Sequence, residues 1–324
     1  MPNELYLALL VPALFAMELV YFKIADRFNI VDKPNARSSH TTLTRRGGGI
    51  IFVLAAILWA ATHGFAFPWF LAGIILIAGI SFVDDLFSVS NKIRLLCHFS
   101  AFAMMFHEWA LFTAFPWWIS VVALIFCVGI INAYNFMDGI NGITGAYSLA
   151  VLGALAWVNF QTPFTENSLL WTMIAAVLVF CFFNFRTRAK CFAGDVGSVA
   201  IAFAVLFFLG KLMIETGDVT WIILLLVYGV DSVLTIVHRI MLRENIGEAH
   251  RKHLYQILSN ELRVPHVLVS SGYFAVQAVI SSGFILIAPA GAEARWIYCI
   301  VAGSLLSLFY VAFMKKYFHL HQTK

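Results

Sequence analysis

Charge is what this sequence has least of. Asp, Glu, Lys and Arg make up 12% of its 324 residues, against about 25% in a soluble domain. So little polar surface could not cover a water-soluble globule. With a mean hydropathy of +0.87, the composition excludes the soluble class and leaves an all-α, polytopic transmembrane bundle. Patterned cysteine is missing too. Cys97, Cys127, Cys181, Cys191 and Cys299 are scattered, mostly inside apolar runs, and an odd, unpatterned set excludes both a disulfide framework and a metal site. They read as small apolar packing residues. There is no internal repeat and no low-complexity tract, so residues 1–324 read as one integral-membrane domain. No Lys or Arg precedes the first apolar run, and the basic residues follow it. That is the reverse of a secretory signal, and the segment is expected to stay as a helix.

Apolar runs are abundant. A bilayer core of about 30 Å needs roughly 20 apolar residues per helix. Eleven candidate spans lie near 4–23, 47–65, 67–83, 94–111, 116–135, 142–160, 168–186, 196–214, 219–239, 264–288 and 295–314. The second to fourth are short enough to merge or re-enter, so ten spans is the alternative count. The polar loops fall near 24–46, 84–94, 135–142, 186–195 and 239–263. With Lys23 at the end of the first span and the C-terminal tail, the loops on that side hold nineteen of the 21 Lys and Arg residues; only Lys211 and Arg295 fall on the other. Basic loops stay in the cytoplasm, which puts the N-terminus outside and the C-terminus inside. The long polar loops, and any chemistry they carry, are then cytoplasmic.

Three loops hold acidic residues that chemistry would use. The third span ends in Asp84-Asp85, followed by Lys92 and Arg94. Two carboxylates beside an apolar span are costly unless paired, hydrated or bound to a cation, and their repulsion favours a proton on one of them; the bland alternative is a solvated helix end. The fifth span runs into Asn135-Phe136-Met137-Asp138-Gly139-Ile140-Asn141-Gly142. Asn135, Asp138 and Asn141 stand three apart and share a face in a helical turn. This face has oxygen acceptors and amide donors but no cation, which suits a metal-diphosphate or a nucleobase. Asp-Gly and Asn-Gly are also strong turn dipeptides. Gly194-Asp195-Val196-Gly197-Ser198 opens the eighth span; a carboxylate there can be a Mg²⁺ ligand or only an N-cap.

Two further loops are basic. The first runs from Asp32-Lys33 through His40 and Thr44-Arg45-Arg46 to Gly47-Gly48-Gly49. Cations, hydroxyls and glycines just before a helix suit phosphate; a positive-inside anchor accounts for the arginines but not for the glycines. The last loop carries His250-Arg251-Lys252-His253, with both histidines on one face if helical. It reads as a phosphate or sugar contact or as an amphipathic interfacial helix, and less well as a zinc site, since no Cys or acidic ligand has suitable spacing. Together, Asp84, Asp85, Asp138 and Asp195 lie at helix ends on one side of the membrane, as a Mg²⁺-dependent phosphoryl-transfer site requires.

These blocks, in this order, resemble the polyprenyl-phosphate N-acetylhexosamine-1-phosphate transferases, glycosyltransferase family 4, over about Lys33 to Gln256. The resemblance implies transfer of N-acetylhexosamine 1-phosphate from a UDP-sugar, UDP-GlcNAc by default, to undecaprenyl phosphate, with release of UMP. It implies Asp195 as the principal Mg²⁺ ligand, with Mn²⁺ as the alternative ion. Asp84 and Asp85 would position or deprotonate the lipid phosphate, or help hold the metal. Asn135 and Asp138 would meet the nucleotide diphosphate, with Asn141 beside them. Lys33, His40, Thr44, Arg46 and Lys92 fit the family's basic residues near the phosphates, and Arg251 and His253 its Arg-x-His signature. Three positions depart from the pattern. Asn141 stands where a second Asp is common. Arg188 replaces a Pro. His253-Leu254-Tyr255 replaces the histidine run of the muramoyl-pentapeptide enzymes, which points to the branch that starts O-antigen or related surface glycans.

The expected partners are the UDP-sugar, the polyprenyl phosphate and membrane lipid, in the bacterial inner membrane. No nucleic acid is expected, and a homodimer stays open. Two rival classes fit less well. A CDP-alcohol phosphotransferase needs Asp-Gly followed by Ala-Arg and two later Asp residues in one run, and Asp138-Gly139 is followed by Ile140-Asn141-Gly142 instead. A transporter would hold ionisable groups near mid-membrane; Glu18 and Asp231 are the main mid-span acids, of which Asp231 can support the site and Glu18 has no assigned role.

Overall fold

The structure is a computed structural model that describes residues 3–34, 39, 42–246 and 250–322. Helix α1 (Asn3–Arg27) leads into a two-stranded antiparallel hairpin, β1 (Val31–Asp32) and β2 (Thr44–Arg45), with Val31 opposite Arg45 and Asp32 opposite Thr44. Then come α2 (Ile50–Thr62), α3 (Pro68–Phe87), α4 (Asn91–Glu108), the short α5 (Leu111–Ala114), α6 (Trp117–Met137), α7 (Ile143–Gln161), α8 (Asn167–Asn184) and α9 (Gly194–Thr216). A 3-10 turn, Val219–Leu225, runs straight into α10 (Leu226–Met241). The chain ends with α11 (Leu254–Gln256), a π turn (Ile257–Glu261), α12 (His266–Ile287), α13 (Ala292–Tyr317) and α14 (His319–Gln322).

Among the described residues, nine helical segments are long and apolar enough to cross a membrane. Each of the eleven expected spans contains a helix, and the second to fourth form separate helices. The two that fall short of the nine are α2 and α4. Helix α2 has 13 residues, about 20 Å of rise. It can be short because it is packed inside protein, with Phe52, Ala55, Ala56 and Trp59 all buried. Helix α4 is less apolar and carries Lys92, Arg94, His98 and His107.

Helix α9 forms the centre. From Val196 to Leu209 every residue is buried, the pattern of a helix that is apolar all round. It packs against α2, α3, α6 and α7, and Gly73 of α3 lies so close that an added Cβ would stand 2.7 Å from the Phe203 ring. Helix ends inside an apolar medium still need hydrogen-bond partners. Pro68 opens α3, where its missing N–H costs nothing, and the Glu108 carboxylate accepts the next two amides, Trp69 N at 2.9 Å and Phe70 N at 3.2 Å. At the 3-10 break before α10, fully buried Gln277 of α12 donates to Ile223 O (3.1 Å) and accepts from Val227 N (3.1 Å) and the Tyr147 hydroxyl (3.0 Å). The loops after α1, α3, α6, α8 and α10 all meet at one end of the bundle, which is the end rich in Lys and Arg.

Candidate active site

The basic end is organised around a seam between two loops. Phe192 N donates to Arg45 O at 2.8 Å, Gly48 N to Phe192 O at 2.8 Å and Gly49 N to Ala193 O at 3.2 Å. The Gly47-Gly48-Gly49 triplet, read from sequence as suited to phosphate, is therefore a packing device. A Cβ on Gly49 would stand 2.2 Å from the Gly197 Cα, and one on Gly48 2.5 Å from the Cys191 sulfur. The amides of Gly48 and Gly49 are engaged with the 191–194 loop and do not face a ligand. The seam brings Arg46 and Asp195 to the end of α3.

There, Arg46 Nη2 is 2.6 Å from Asp85 Oδ1 and 3.7 Å from Asp195 Oδ1. Asp85 Oδ2 also accepts Val196 N at 3.2 Å. One guanidinium thus stands between two carboxylates from distant parts of the chain. Asn135, on the last turn of α6, donates to the Ser198 hydroxyl at 3.2 Å and ties that turn to α9. Asp138 follows at the end of α6. Burial, and then repulsion from Asp195 and Asp85, push its carboxyl up to about 7, against the Thr144 hydroxyl and the more distant Arg46. A polar cleft of about 190 Å³ opens above these groups, lined by Asp32, Ser39, Arg46, Asn135, Asp138–Asn141, Asn184, Phe192–Asp195 and Gln256.

The structure separates the adjacent aspartates. Asp85 faces Arg46 and Asp195, with its side chain 1% exposed. Asp84 points the other way, accepting Arg94 Nη1 at 2.6 Å and Val89 N at 2.7 Å; neither aspartate lines the cleft, and Asp85 adjoins it through Arg46. Arg94 was read from sequence only as a basic neighbour; it is Asp84's partner. Among the expected phosphate contacts, Arg46 is central. Thr44 is buried in the hairpin and its hydroxyl donates to Thr42 O. Lys33 and Lys92 are exposed and do not line the cleft. His40 lies outside the described residues. Asn141 lines the cleft, but its amide donates to Arg186 O (2.9 Å) and Thr187 O (3.3 Å), so it also fastens the loop.

The last loop departs furthest from expectation. Residues 250–253 are not helical, so the histidines do not share a helix face. His253 is buried, with Nδ1 3.4 Å from Asp231 Oδ1, while Asp231 also accepts Leu254 N (3.0 Å) and the Tyr273 hydroxyl (2.6 Å). Arg251 stands 3.7 Å from Glu261. Neither Arg251 nor His253 lines the cleft; the residue of this loop that does is Gln256, held by a capping box with His253. Burial, then nearby His253, Arg239 and Lys252, push His250 down to about 3. Sequence reading also missed Asn184, which accepts Gly142 N (2.7 Å) and donates to Cys191 O (2.8 Å), bridging the loops of Asp138 and Asp195. Its only sequence signal is an amide at the end of an apolar span.

An apolar groove of about 630 Å³ runs down the bundle beside the cleft, lined by Ile125, Ile130, Tyr134, Phe136, Leu226, Val233 and Ile236, with Arg239 and His250 among its lining. Helix α6 serves both spaces, Asn135 in the cleft and Tyr134 and Phe136 in the groove. Among the described residues no three His, Cys, Asp or Glu side chains form a ready metal cage. The donor set is two converging carboxylates around a cation, the kind that holds Mg²⁺ together with water and phosphate oxygens.

This fold and site define a multi-pass membrane protein with a carboxylate-rich cleft at its basic end. Residues 67–213 match the model of glycosyl transferase family 4. The undecaprenyl-phosphate alpha-N-acetylglucosaminyl 1-phosphate transferase of Escherichia coli (strain K12) is 27% identical over 339 residues, covering 93% of this chain and 86% of that protein. Its counterpart in Yersinia pestis is 28% identical, covering 93% and 87%. A probable undecaprenyl-phosphate N-acetylglucosaminyl 1-phosphate transferase of Bacillus subtilis (strain 168) is 27% identical, covering 80% and 79%. The family resemblance read from the motifs is the one these comparisons find, over residues 67–213 by the family model and over most of the chain by the relatives.

Proposed function

We propose that the protein transfers N-acetylhexosamine 1-phosphate from a UDP-sugar, UDP-GlcNAc by default, to undecaprenyl phosphate. UMP leaves, and the product starts a lipid-linked surface glycan of the O-antigen kind. One observation carries the reading: Asp85 and Asp195 flank Arg46, and Asp138 lines the same cleft, at helix ends next to an apolar groove. A cleft that takes a charged diphosphate and a groove that takes a prenyl chain meet on α6. The names of the relatives support the same acceptor and sugar. The basic loops support a cytoplasmic cleft in the inner membrane, with the N-terminus outside.

In the reaction, a phosphate oxygen of the lipid attacks the β-phosphorus of the UDP-sugar. A new P–O bond forms, the bond from that phosphorus to the bridging oxygen breaks, and its electron pair leaves with UMP. Arg46 offsets charge on the phosphates. Asp138 holds or accepts a proton at the phosphate oxygens, and Asp85, beneath the cleft, holds Arg46 in place toward them. Asn135 and the Asp138–Asn141 turn orient the diphosphate. Asp195, with Asp85 beside it, would hold Mg²⁺, or Mn²⁺ in its place, and the ion when bound supplies positive charge for the developing diphosphate. The test is a panel of UDP-N-acetylhexosamines incubated with purified protein and undecaprenyl phosphate. UMP and a lipid-linked amino sugar are expected from UDP-GlcNAc or a close relative. No product from any UDP-sugar, with turnover of a CDP-alcohol, would overturn the reading.

A further inference from the structure

The unassigned acid of α1 lies directly beneath the seam. Glu18 is completely buried in the middle of the helix. Its Oε1 accepts the Cys191 thiol at 3.6 Å. Its Oε2 has no hydrogen-bond partner, and among the described residues no Lys or Arg forms an ion pair with it. A Cβ on Gly48 would stand 2.9 Å from Glu18 Oε1, so the carboxyl is pressed against the glycine triplet. One turn on, the Tyr21 hydroxyl donates to Arg46 O at 2.5 Å, and a Cβ on Gly47 would stand 2.4 Å from that hydroxyl. The same face of α1 therefore touches both strands of the seam, at Gly48 and Cys191, and the backbone of the arginine between Asp85 and Asp195.

We infer that Glu18 and Tyr21 are positioning residues: from the underside they fix the Arg46–Gly49 and Cys191–Gly194 loops so that Arg46 stays between Asp85 and Asp195. A buried polar group in lipid is expensive, and a leucine would pack α1 as well without that cost. What the carboxyl adds is a polar, hydrogen-bonding shape against Cys191 and Gly48. Misplacement of about 1 Å at a reacting centre can cost about 100-fold in rate, so a device of this kind acts on turnover rather than on binding. The rate effect rests on the proposed transfer reaction; the effect on the loops does not.

The test uses the full chain in lipid nanodiscs and reads two things, amide hydrogen exchange and steady-state kinetics. In Glu18→Leu, exchange at residues 47–49 and 192–194 is expected to speed up about tenfold, with the far-end loop 162–166 unchanged. kcat is expected to fall about tenfold with KM for the UDP-sugar within twofold. Glu18→Gln, which keeps the shape and the hydrogen-bonding atoms, is expected to restore both readings. Tyr21→Phe removes one hydroxyl and is expected to loosen the same amides, and it decides the matter if Glu18→Leu does not accumulate. Unchanged seam exchange in Glu18→Leu and Tyr21→Phe, or a Gln variant as impaired as the Leu variant, would overturn the inference. Should the unmodified protein release no UMP from any UDP-sugar, the functional reading fails, and the exchange data still decide the role of these two residues.

Discussion

Two neighbouring aspartates at the end of α3 have different work to do. Asp84 is bound to Arg94 and to Val89 N, which closes the helix end. Asp85 faces Arg46 and the start of α9. Asp85→Asn is therefore expected to lower turnover about 100-fold or more, in the range of a lost acid–base or charge-holding group. Asp84→Asn should cost about 1–3 kcal/mol of stability through weakened charged hydrogen bonds, with turnover within about tenfold; parallel assays and melts separate the two, and equal loss of turnover would contradict the assignment. Asp138 gives a pH signature. Its carboxyl ordinarily titrates near 4 and is held near 7 in the fold. Between those values the folded protein keeps a proton that the unfolded chain gives up, so stability falls as pH rises through that window. Without substrate or metal, Asp138→Asn should melt about 2 °C or more above the unmodified protein at pH 8 and at the same temperature at pH 4. The same variant should lose the limb of the pH–rate profile near 7.

The elements carry the site because their ends are satisfied inside an apolar medium. The 3-10 turn before α10 frees backbone groups in mid-bundle, and Gln277 takes up Ile223 O and Val227 N. Gln277→Leu leaves both unpaired, at about 1–3 kcal/mol each, and is expected to lower the thermal midpoint clearly. Because α10 carries Asp231, which holds His253 and through it the Gln256 end of α11, the same change should raise KM for the donor several-fold. A melt and a KM unchanged by Gln277→Leu would remove this element from the account.

For the molecule as a whole, the sequence made the bundle legible because hydrophobic length is a direct physical requirement of a bilayer, and it made Asp85, Asp138 and Asp195 legible because carboxylates at apolar helix ends are costly without a reason. Direction was not legible. Lys33, Arg251 and His253 lie in basic loops, but whether a side chain turns to the cleft depends on partners far away, such as Asp231, 22 positions before His253. The glycine triplet stands out in the sequence, yet its causes are Tyr21, Cys191 and Gly197, which no spacing rule connects to it. Gln277 and Asn184 read as ordinary polar residues in apolar runs until the backbone groups they serve are seen. The aspartates nonetheless lie at one end, as the proposed function needs, and Asp195 is proposed to hold the catalytic cation there. The direct measurement is Mg²⁺-dependent formation of lipid-linked sugar by purified Asp195→Asn, alongside a melt showing that the variant is folded. The account predicts a loss of about a thousandfold or more in a normally folded protein; a folded variant that keeps a tenth of its activity would contradict it.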